Sequence, residues 1–218
     1  MYQHRDIKGS TLDLPAGKVV CVGRNYHEHI KELNNPVPSS PLLFIKPQTA
    51  LCCLQNPILI PKTLGRVEHE LEIAALIGKD LTQASAEEAK SAVCAFAVAL
   101  DLTLRDVQEC CKANAHPWEI AKGFDNACPV SPFVPVGQFS DWTAIDFSLQ
   151  VNGMLRQAGN SQHMLVDIPH LISYASQFFT LQKGDIMLTG TPQGVGELRL
   201  GDKLELHLGE HCFHTEVI

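Results

Sequence analysis

The alternation of hydrophobic and polar positions along the chain predicts a strand-rich protein. Short apolar runs end at glycine, proline or asparagine, a pattern typical of β-strands. Asn152-Gly153 lies between two alternating runs and predicts a hairpin with a type I′ turn. A second hairpin is expected at Gly209-Glu210. The expected strands cover residues 18–22, 42–46, 58–60, 147–151, 154–156 and 204–208.

Three stretches have helical periodicity. Residues 24–33 form a short helical segment before a proline-rich loop, and residues 168–179 carry an apolar stripe at helical spacing. The third predicted helix covers residues 102–112. Thr103 is its expected N-cap, with Asp106 three positions later in an approximate capping box.

An acidic alternation precedes the long apolar run that ends at Ile77. Glu68, Glu70 and Glu72 occupy every second position. Side chains at this spacing share one face only if the segment is extended, because a helix would point them apart. Three like charges on a strand face repel, and a divalent cation would relieve that repulsion. The spacing alone is equally compatible with a solvated edge strand.

The position of Asp101 favours a bound divalent cation over a solvated edge strand. It ends the apolar run 92–100 directly before the predicted helix, where a carboxylate is typically at the rim of a site. Together with two or three of the glutamates it would form an all-oxygen ligand set. Such a set suits Mg²⁺, Mn²⁺ or Ca²⁺ and does not suit structural zinc.

A histidine and a carboxylate are paired in the first helical segment. His29 and Glu32 are three residues apart and are therefore neighbours on a helix face. A carboxylate beside an imidazole fixes its tautomer and raises its basicity, as a general base requires. The alternative is two polar groups on a solvated surface.

Two lysines and one glycine-rich loop are further candidates. Lys46 ends an apolar strand, where it either reaches water or contacts an anion beside Glu70 and Glu72. Lys122 lies next to a glycine in a stretch that resembles a site loop. The loop 189–196 exposes backbone N–H groups that suit a carboxylate ligand better than a nucleotide phosphate, because it lacks the Gly-Lys-Ser/Thr sequence of a phosphate-binding loop.

Charge and hydropathy argue against some classes of binding partner. The chain has 218 residues and a formal net charge of −7 without a Lys/Arg cluster, so nucleic acid is not an expected partner. No apolar run approaches membrane-spanning length, and we expect no membrane partner and a cytoplasmic location. The eight cysteines form no CxxC pair and are expected to be reduced thiols. The simplest organisation is one domain over residues 1–218.

Taken together, these pieces resemble the fumarylacetoacetate hydrolase family, in particular its short single-domain members that act on acylpyruvates and oxaloacetate. The resemblance runs over about residues 19–217, behind a short N-terminal lead-in of residues 1–17. Singly the motifs are weak, but their order and spacing are specific. They are Gly23-Arg24-Asn25-Tyr26, Phe44-Ile45-Lys46-Pro47, Glu70-Leu71-Glu72, Leu100-Asp101-Leu102-Thr103, Arg105-Asp106-Val107-Gln108, residues 118–122 and residues 189–196.

The resemblance implies a fold and a cofactor. The fold would be a strand-rich α+β structure, a mixed β-sandwich roll of the family's C-terminal-domain type with peripheral helices, usually a homodimer. One Mg²⁺ or Mn²⁺ per chain would be held by Glu70, Glu72 and Asp101. Glu68 stands where relatives often have histidine and is left out of the ligand set. The Cys110-Cys111 pair also departs from the pattern.

The resemblance also implies roles for the other candidates. His29 and Glu32 would be the acid/base dyad on a segment that closes over the substrate, and Lys122 an active-site cation. The residues expected to line the substrate pocket are Arg24, Lys46, Gln108 and Thr191.

The expected function is a divalent-metal-dependent enzyme acting on 2-oxo or 2,4-dioxo carboxylic acids. The leading prediction is an acylpyruvate C–C hydrolase, with oxaloacetate decarboxylation as a further activity. The alternatives are an oxaloacetate keto–enol tautomerase or a 2-hydroxymuconate-type isomerase or decarboxylase. A protein that binds oxo acids without turnover is the remaining alternative.

Overall fold

The computed structural model describes residues 2–34 and 36–218. Within them no helix is both long and apolar enough to cross a bilayer. The strands are β1 Val19–Gly23, β2 Leu42–Lys46, β3 Leu51–Cys53, β4 Val67–His69, β5 Leu71–Ile77, β6 Val93–Leu100, β7 Thr103–Leu104, β8 Cys128–Val130, β9 Val134–Pro135, β10 Asp146–Val151, β11 Met154–Asn160, β12 Ile186–Leu188, β13 Gly196–Glu197, β14 Lys203–Leu208 and β15 His211–Glu216. The helices are α1 His27–Glu32, α2 Ala86–Ala92, α3 Arg105–Ala113, α4 Glu119–Lys122 and α5 Ile168–Ser176, and short 3₁₀ turns cover Gln48–Ala50, Val136–Gln138 and Ser161–His163.

The largest sheet is mixed, in the order β2-β1-β12-β5-β6-β8-β3, with β9 paired to β6. Its central antiparallel pair, β5 and β6, runs in register from Leu71 opposite Leu100 to Leu76 opposite Ala95. Every residue of β5 is buried. Both faces of this pair are therefore covered, which is why the sequence reads as continuous apolar runs here and not as alternation.

A second sheet, in the order β11-β10-β14-β15, lies with β10 against β5 and β14 against β6. Its inward positions, such as Phe147, Leu149 and Leu206, are buried. Asn152 and Gly153 have φ values of 54° and 75°, the positive values that a type I′ turn needs, so the predicted hairpin is confirmed. The hairpin at residues 209–210 is confirmed as well.

The extended segment that carries Glu68, Glu70 and Glu72 passes from one sheet to another at Glu70. β4 pairs with β13 and β7 in a small three-stranded sheet, whereas β5 belongs to the large one, and Glu70 is the residue between them. The segment is extended, as the carboxylate spacing requires. The change of sheet turns Glu70 and the start of β5 toward the end of β6, where Asp101 follows.

Several predicted boundaries are wrong. α3 begins at Arg105 and its N-cap position is Leu104, without a side-chain cap. Thr103 instead belongs to β7, where its hydroxyl donates to the Asp101 carbonyl at 3.1 Å. Asp106 accepts from the Arg66 backbone N–H at 2.9 Å. A local bond to Asp101 thus occupies the Thr103 hydroxyl, and a tertiary bond to Arg66 occupies Asp106, in place of the capping box.

Other elements differ in extent. α1 starts at His27 and not at residue 24, and α5 ends at Ser176 and not at residue 179. Residues 58–60 form no strand, because only Ile58 pairs, in a single bridge with Val217. Sequence analysis also missed α2, which begins with a capping box between Ser85 and Glu88.

The N-terminal lead-in packs onto the large sheet through His4. This side chain is fully buried, donates from Nε2 to the Gly184 carbonyl at 2.9 Å and packs edge-on against Phe133. Gly184 has φ +93°, and a Cβ there would lie 1.8 Å from the carbonyl oxygen of Pro15. Only glycine fits this contact between the lead-in and the turn before β12.

We predict that Gly184→Ala destabilises the protein much more than Gly201→Ala. Gly201 has a similar φ of +86°, and a Cβ added there would meet no atom within 4 Å, so its alanine variant loses only the left-handed preference, about 1–2 kcal/mol. Gly184→Ala adds a backbone clash. Urea unfolding of both variants measures the difference, and equal losses would refute a tight contact at Pro15.

Candidate active site

Three carboxylates meet where β5 and β6 come together. Leu71 pairs with Leu100, and the Asp101 N–H donates to the Glu70 carbonyl at 2.8 Å. Glu70 and Glu72 lie two positions apart in the extended segment and so point to the same side. One oxygen from each of Glu70, Glu72 and Asp101 lies within 4.8 Å of the others, and all three residues are buried.

Buried cations surround these carboxylates. The Lys122 ammonium donates to Glu70 Oε2 at 2.7 Å, to Asp101 Oδ2 at 2.6 Å and to the Thr103 hydroxyl at 2.7 Å. Arg105 bridges Glu70 at 2.6 Å and Glu68 at 2.7 Å. Glu68 thus faces the arginine and is not among the clustered oxygens.

Lys46 lies behind the cluster and does not line the cavity, contrary to the predicted substrate contact. Its side chain is fully buried, so it does not reach water either. Its ammonium donates to the backbone carbonyls of Leu102 and Ala127 at 3.2 and 3.0 Å and to that of Lys122. Its charge lies 2.7 Å from Asp101 Oδ1. The carbonyls thus hold the Lys46 ammonium directly against the Asp101 carboxylate.

This arrangement fits a divalent cation. Asp101 Oδ1 is buried and has no hydrogen-bond partner within the described residues, although the Lys46 ammonium lies 2.7 Å away, and its remaining lone pairs are available to a cation. Glu70 pairs with Arg105 and Lys122, and Asp101 pairs with Lys122 and Lys46, whereas Glu72 has no lysine or arginine partner within the described residues. The donor set is all oxygen, as Mg²⁺ and Mn²⁺ prefer.

The contacts of Glu72 differ from those of Glu70, because its Oε2 accepts from the Gly190 N–H and not from a cation. Burial, then Asp101 and Glu70, raise the pKa of Glu72 well above its usual value. Burial also raises the pKa of Glu70, but the charges of Lys122 and Arg105 outweigh it and hold that pKa below the ordinary range. Burial lowers the pKa of Lys122, and the adjacent Asp101 and Glu70 more than reverse this, so the ammonium stays charged.

The predicted dyad forms on α1 at the edge of the same site. His29 Nδ1 lies 3.2 Å from Glu32 Oε2, and the imidazole is buried. Glu32 Oε1 accepts from the Gly194 N–H at 2.9 Å. One carboxylate therefore holds the imidazole and also fastens α1 to the glycine-rich loop. With Nδ1 directed at Glu32, Nε2 is the nitrogen left for proton transfer.

The loop 189–196 uses its N–H groups differently from the prediction. The Gly190 N–H donates to Glu72 Oε2 at 2.6 Å, and the Gly194 N–H binds Glu32. The carboxylates that this loop binds are the protein's own. A Cβ at Gly190, where φ is +93°, would lie 2.8 Å from the Asn25 side chain, so glycine allows the close approach. Thr191 lines the cavity and donates to the Leu71 carbonyl at 2.8 Å.

The cavity between these groups is small, about 30 Å³, which is room for little more than a water molecule. Arg24, at φ +63°, lies in its wall. The other predicted residues that line it are Gln108, Thr191, His29, Lys122, Glu70, Glu72 and Asp101.

Sequence analysis assigned no role to several lining residues. Arg105 and Lys112 line the cavity together with Gln108, and their i, i+3, i+7 spacing on the predicted helix was the available signal. Phe44 and Trp118, in edge-to-face contact, form an apolar wall. No cysteine lines the cavity, and the described cysteines are all free thiols, as expected.

Comparisons with known proteins agree with this geometry. The family model of the fumarylacetoacetate hydrolase C-terminal domain matches residues 18–217. The chain belongs to the fumarylacetoacetate hydrolase family. This chain is 51% identical to the oxaloacetate tautomerase YcgM of Escherichia coli (strain K12), over 100% of both chains. The predicted family and the strand-rich α+β fold class are therefore confirmed.

Solved structures of other family members support the same assignment. A fumarylacetoacetate hydrolase family protein from Yersinia pestis CO92 superposes with a TM-score of 0.98, at 52% identity and with 100% of both chains covered. The fumarylpyruvate hydrolase of Pseudomonas aeruginosa, solved in complex with Mn²⁺ and pyruvate, has a TM-score of 0.93 at 33% identity. That match covers 100% of this chain and 95% of the other.

We predict that Glu72→Gln stabilises the metal-free protein near neutral pH by about 1–3 kcal/mol, because it removes a buried charge that repels Asp101 and Glu70. The folded-state pKa of Glu72 is raised, so its carboxyl favours folding below the usual value of 4.5 and loses that contribution as the pH rises through the folded pKa. The advantage of the variant should therefore grow with pH.

Thermal unfolding with EDTA and with Mn²⁺ provides the measurement. Mn²⁺ should raise the melting temperature of the wild-type protein and have little effect on the variant, because a ligand stabilises only a state that binds it. An equal Mn²⁺ shift in both proteins would refute Glu72 as a ligand.

Proposed function

We propose that this protein is a divalent-metal-dependent oxaloacetate keto–enol tautomerase. The observation that carries the proposal is a buried imidazole, held by Glu32, beside the buried carboxylate cluster of Glu70, Glu72 and Asp101. The E. coli relative at 51% identity is an oxaloacetate tautomerase, which supports this activity over C–C hydrolysis. The tautomerase, an alternative in the sequence-based prediction, therefore takes the place of the acylpyruvate hydrolase as the leading function.

The charges of the site suit a dianionic substrate. Glu70, Glu72 and Asp101 would hold Mg²⁺ or Mn²⁺, and the bound ion would supply Lewis-acid polarisation of a 2-oxo group. With a divalent cation the cluster gains net positive charge. Arg24 and Lys112 in the cavity wall add to the attraction for carboxylates.

His29 and Lys122 divide the remaining work. His29 Nε2 takes a proton from C3 of the oxo acid, and the same proton returns to the enolate oxygen, so the imidazole is regenerated. Lys122 stays protonated and stabilises the negative charge that develops on this oxygen. Glu32 stabilises the imidazolium that forms between the two proton transfers.

Acylpyruvate hydrolysis is the second candidate. The P. aeruginosa relative is a fumarylpyruvate hydrolase, and a shared site can carry both chemistries if His29 activates water and not carbon. The apolar wall of Phe44 and Trp118 would then contact the acyl group.

One assay separates the candidates. Loss of enol-oxaloacetate absorbance reports tautomerisation, malate dehydrogenase coupling reports the keto form, and lactate dehydrogenase coupling reports pyruvate. We expect enol loss that requires Mg²⁺ or Mn²⁺, is abolished by EDTA and yields no pyruvate. Pyruvate release from an acylpyruvate, without enzymatic tautomerisation of oxaloacetate, would overturn the proposal in favour of the hydrolase.

We predict that His29→Gln lowers the tautomerase kcat by about 10²–10⁴-fold, the contribution of a positioned general base. His27→Gln is the matched control, since His27 is exposed on the same helix. It should leave kcat unchanged. Steady-state kinetics on enol-oxaloacetate measures both, and comparable activity of the two variants would exclude His29 as the base.

We predict that Glu32→Gln lowers kcat by about 10- to 100-fold, because it removes the charge that stabilises the imidazolium but keeps an acceptor for the Gly194 N–H. KM should change little, since α1 stays attached to the loop. Glu28→Gln, an exposed position of the same helix, is the control. A rise in KM without a fall in kcat would show that Glu32 only closes the site.

Three further expectations remain part of the proposal. We infer one catalytic domain with its core at residues 18–218, a homodimer and a cytoplasmic location. Sedimentation of the purified protein tests the homodimer.

A further inference from the structure

The outer face of the C-terminal hairpin carries a group of metal-ligating side chains far in sequence from the candidate active site. On β14, Glu205 and His207 alternate with the buried residues Leu204, Leu206 and Leu208. On β15, Cys212 and His214 are exposed. All four therefore share the face of the sheet that points away from the core.

The strand register places these four side chains at the corners of a square. His207 pairs directly with Cys212, and Glu205 pairs directly with His214. Directly opposed residues of an antiparallel pair are the closest side chains on a sheet face. A register slip of one residue would place half of the set on the opposite face, so the hairpin fixes this arrangement.

Three of these residues are already at ligand spacing. The liganding atoms of Glu205, His207 and Cys212 lie within 4.8 Å of one another. Cys212 Sγ is 3.7 Å from His207 Nε2, and His207 Nε2 is 2.8 Å from Glu205 Oε1. A tetrahedral zinc with bonds of about 2.3 Å to sulfur and 2.0 Å to nitrogen separates these two ligands by about 3.5 Å. The observed sulfur–nitrogen distance is close to that value.

We propose that Glu205, His207 and Cys212 form a second metal site that takes Zn²⁺. Cys212 supplies a thiolate, His207 an imidazole nitrogen and Glu205 a carboxylate oxygen. His214 Nε2, 3.5 Å from Cys212 Sγ, stands beside the fourth position. The amide of Gln150 donates to Glu205 Oε1 at 3.3 Å and orients this ligand from the neighbouring strand.

The chemistry of the ligands separates this site from the one at Glu70, Glu72 and Asp101. Thiolate and imidazole are softer ligands that select zinc, whereas an all-oxygen set selects Mg²⁺ or Mn²⁺. Within the described residues, the ion-pair partners of Glu205 are His207 and His214, with no lysine or arginine among them. A metal here would therefore displace only protons, and none of these residues lines the active-site cavity.

The position of the site gives it a structural consequence. β15 is the edge strand of its sheet and pairs only with β14 in that sheet. An ion bound by both strands would link the edge strand to its neighbour by side-chain bonds in addition to the backbone ladder. Zn²⁺ should therefore raise thermal stability without a change in the Mg²⁺-dependent activity measured after excess zinc is removed.

Cobalt substitution tests the proposal in the full chain. The background is Glu72→Gln, which disables the oxygen-ligand site, with a phosphine reductant to keep thiols reduced. We expect Co²⁺ to give near-ultraviolet thiolate charge-transfer absorption and visible bands of tetrahedral intensity, and Zn²⁺ to bleach both in a stoichiometric titration. Cys212→Ser should abolish the charge-transfer band, and His207→Gln should weaken Co²⁺ binding.

The control is Cys110→Ser, since Cys110 is also an exposed thiol. It should leave the Co²⁺ spectrum unchanged. Circular dichroism confirms that each variant is folded. An unchanged spectrum in Cys212→Ser, or octahedral bands without charge transfer in the parent protein, would overturn the site. Because the readout is spectroscopic and made with the oxygen site disabled, it is independent of whether the proposed tautomerase activity is correct.

Discussion

The structure depends on keeping four carboxylates together in a buried site. Burial of such charges is costly unless each has a counter-charge. Lys122 and Arg105 neutralise most of the cluster from the side of the cavity, and Lys46 does so from behind. Three backbone carbonyls fix the position of the Lys46 ammonium. The ammonium in turn stabilises the Asp101 carboxylate. Glu72 has no lysine or arginine partner within the described residues, and this lack of a counter-charge supports the proposed divalent cation.

Sequence reasoning succeeds where a local period determines the geometry. The two-residue alternation of Glu70 and Glu72, the three-residue spacing of His29 and Glu32, and the Asn152-Gly153 turn all translate directly into side chains on one face or a hairpin of one type. In each case the residues that interact are near neighbours in the chain. The family motifs then supply the long-range order that periodicity lacks.

It fails where tertiary partners compete with local ones. Thr103 has the chemistry of an N-cap, but its hydroxyl serves the Asp101 carbonyl and Lys122, so the helix begins later. The N–H groups of Gly190 and Gly194 have the chemistry of an anion site, but Glu72 and Glu32 already occupy them. Glu72 and Glu32 are more than a hundred residues from the glycines they bind, and no local pattern in the sequence predicts such partners.

The double role of Glu32 couples two events that could have been separate. The same carboxylate contacts His29 with one oxygen and the Gly194 backbone with the other. Any movement of α1 that opens the cavity breaks the Gly194 bond, and it carries the imidazole away from the carboxylate cluster. The proposed base would then be remote from substrate whenever α1 is open. Under the proposed mechanism, closure of α1 would therefore exclude solvent and bring the base to the carboxylate cluster in one conformational step.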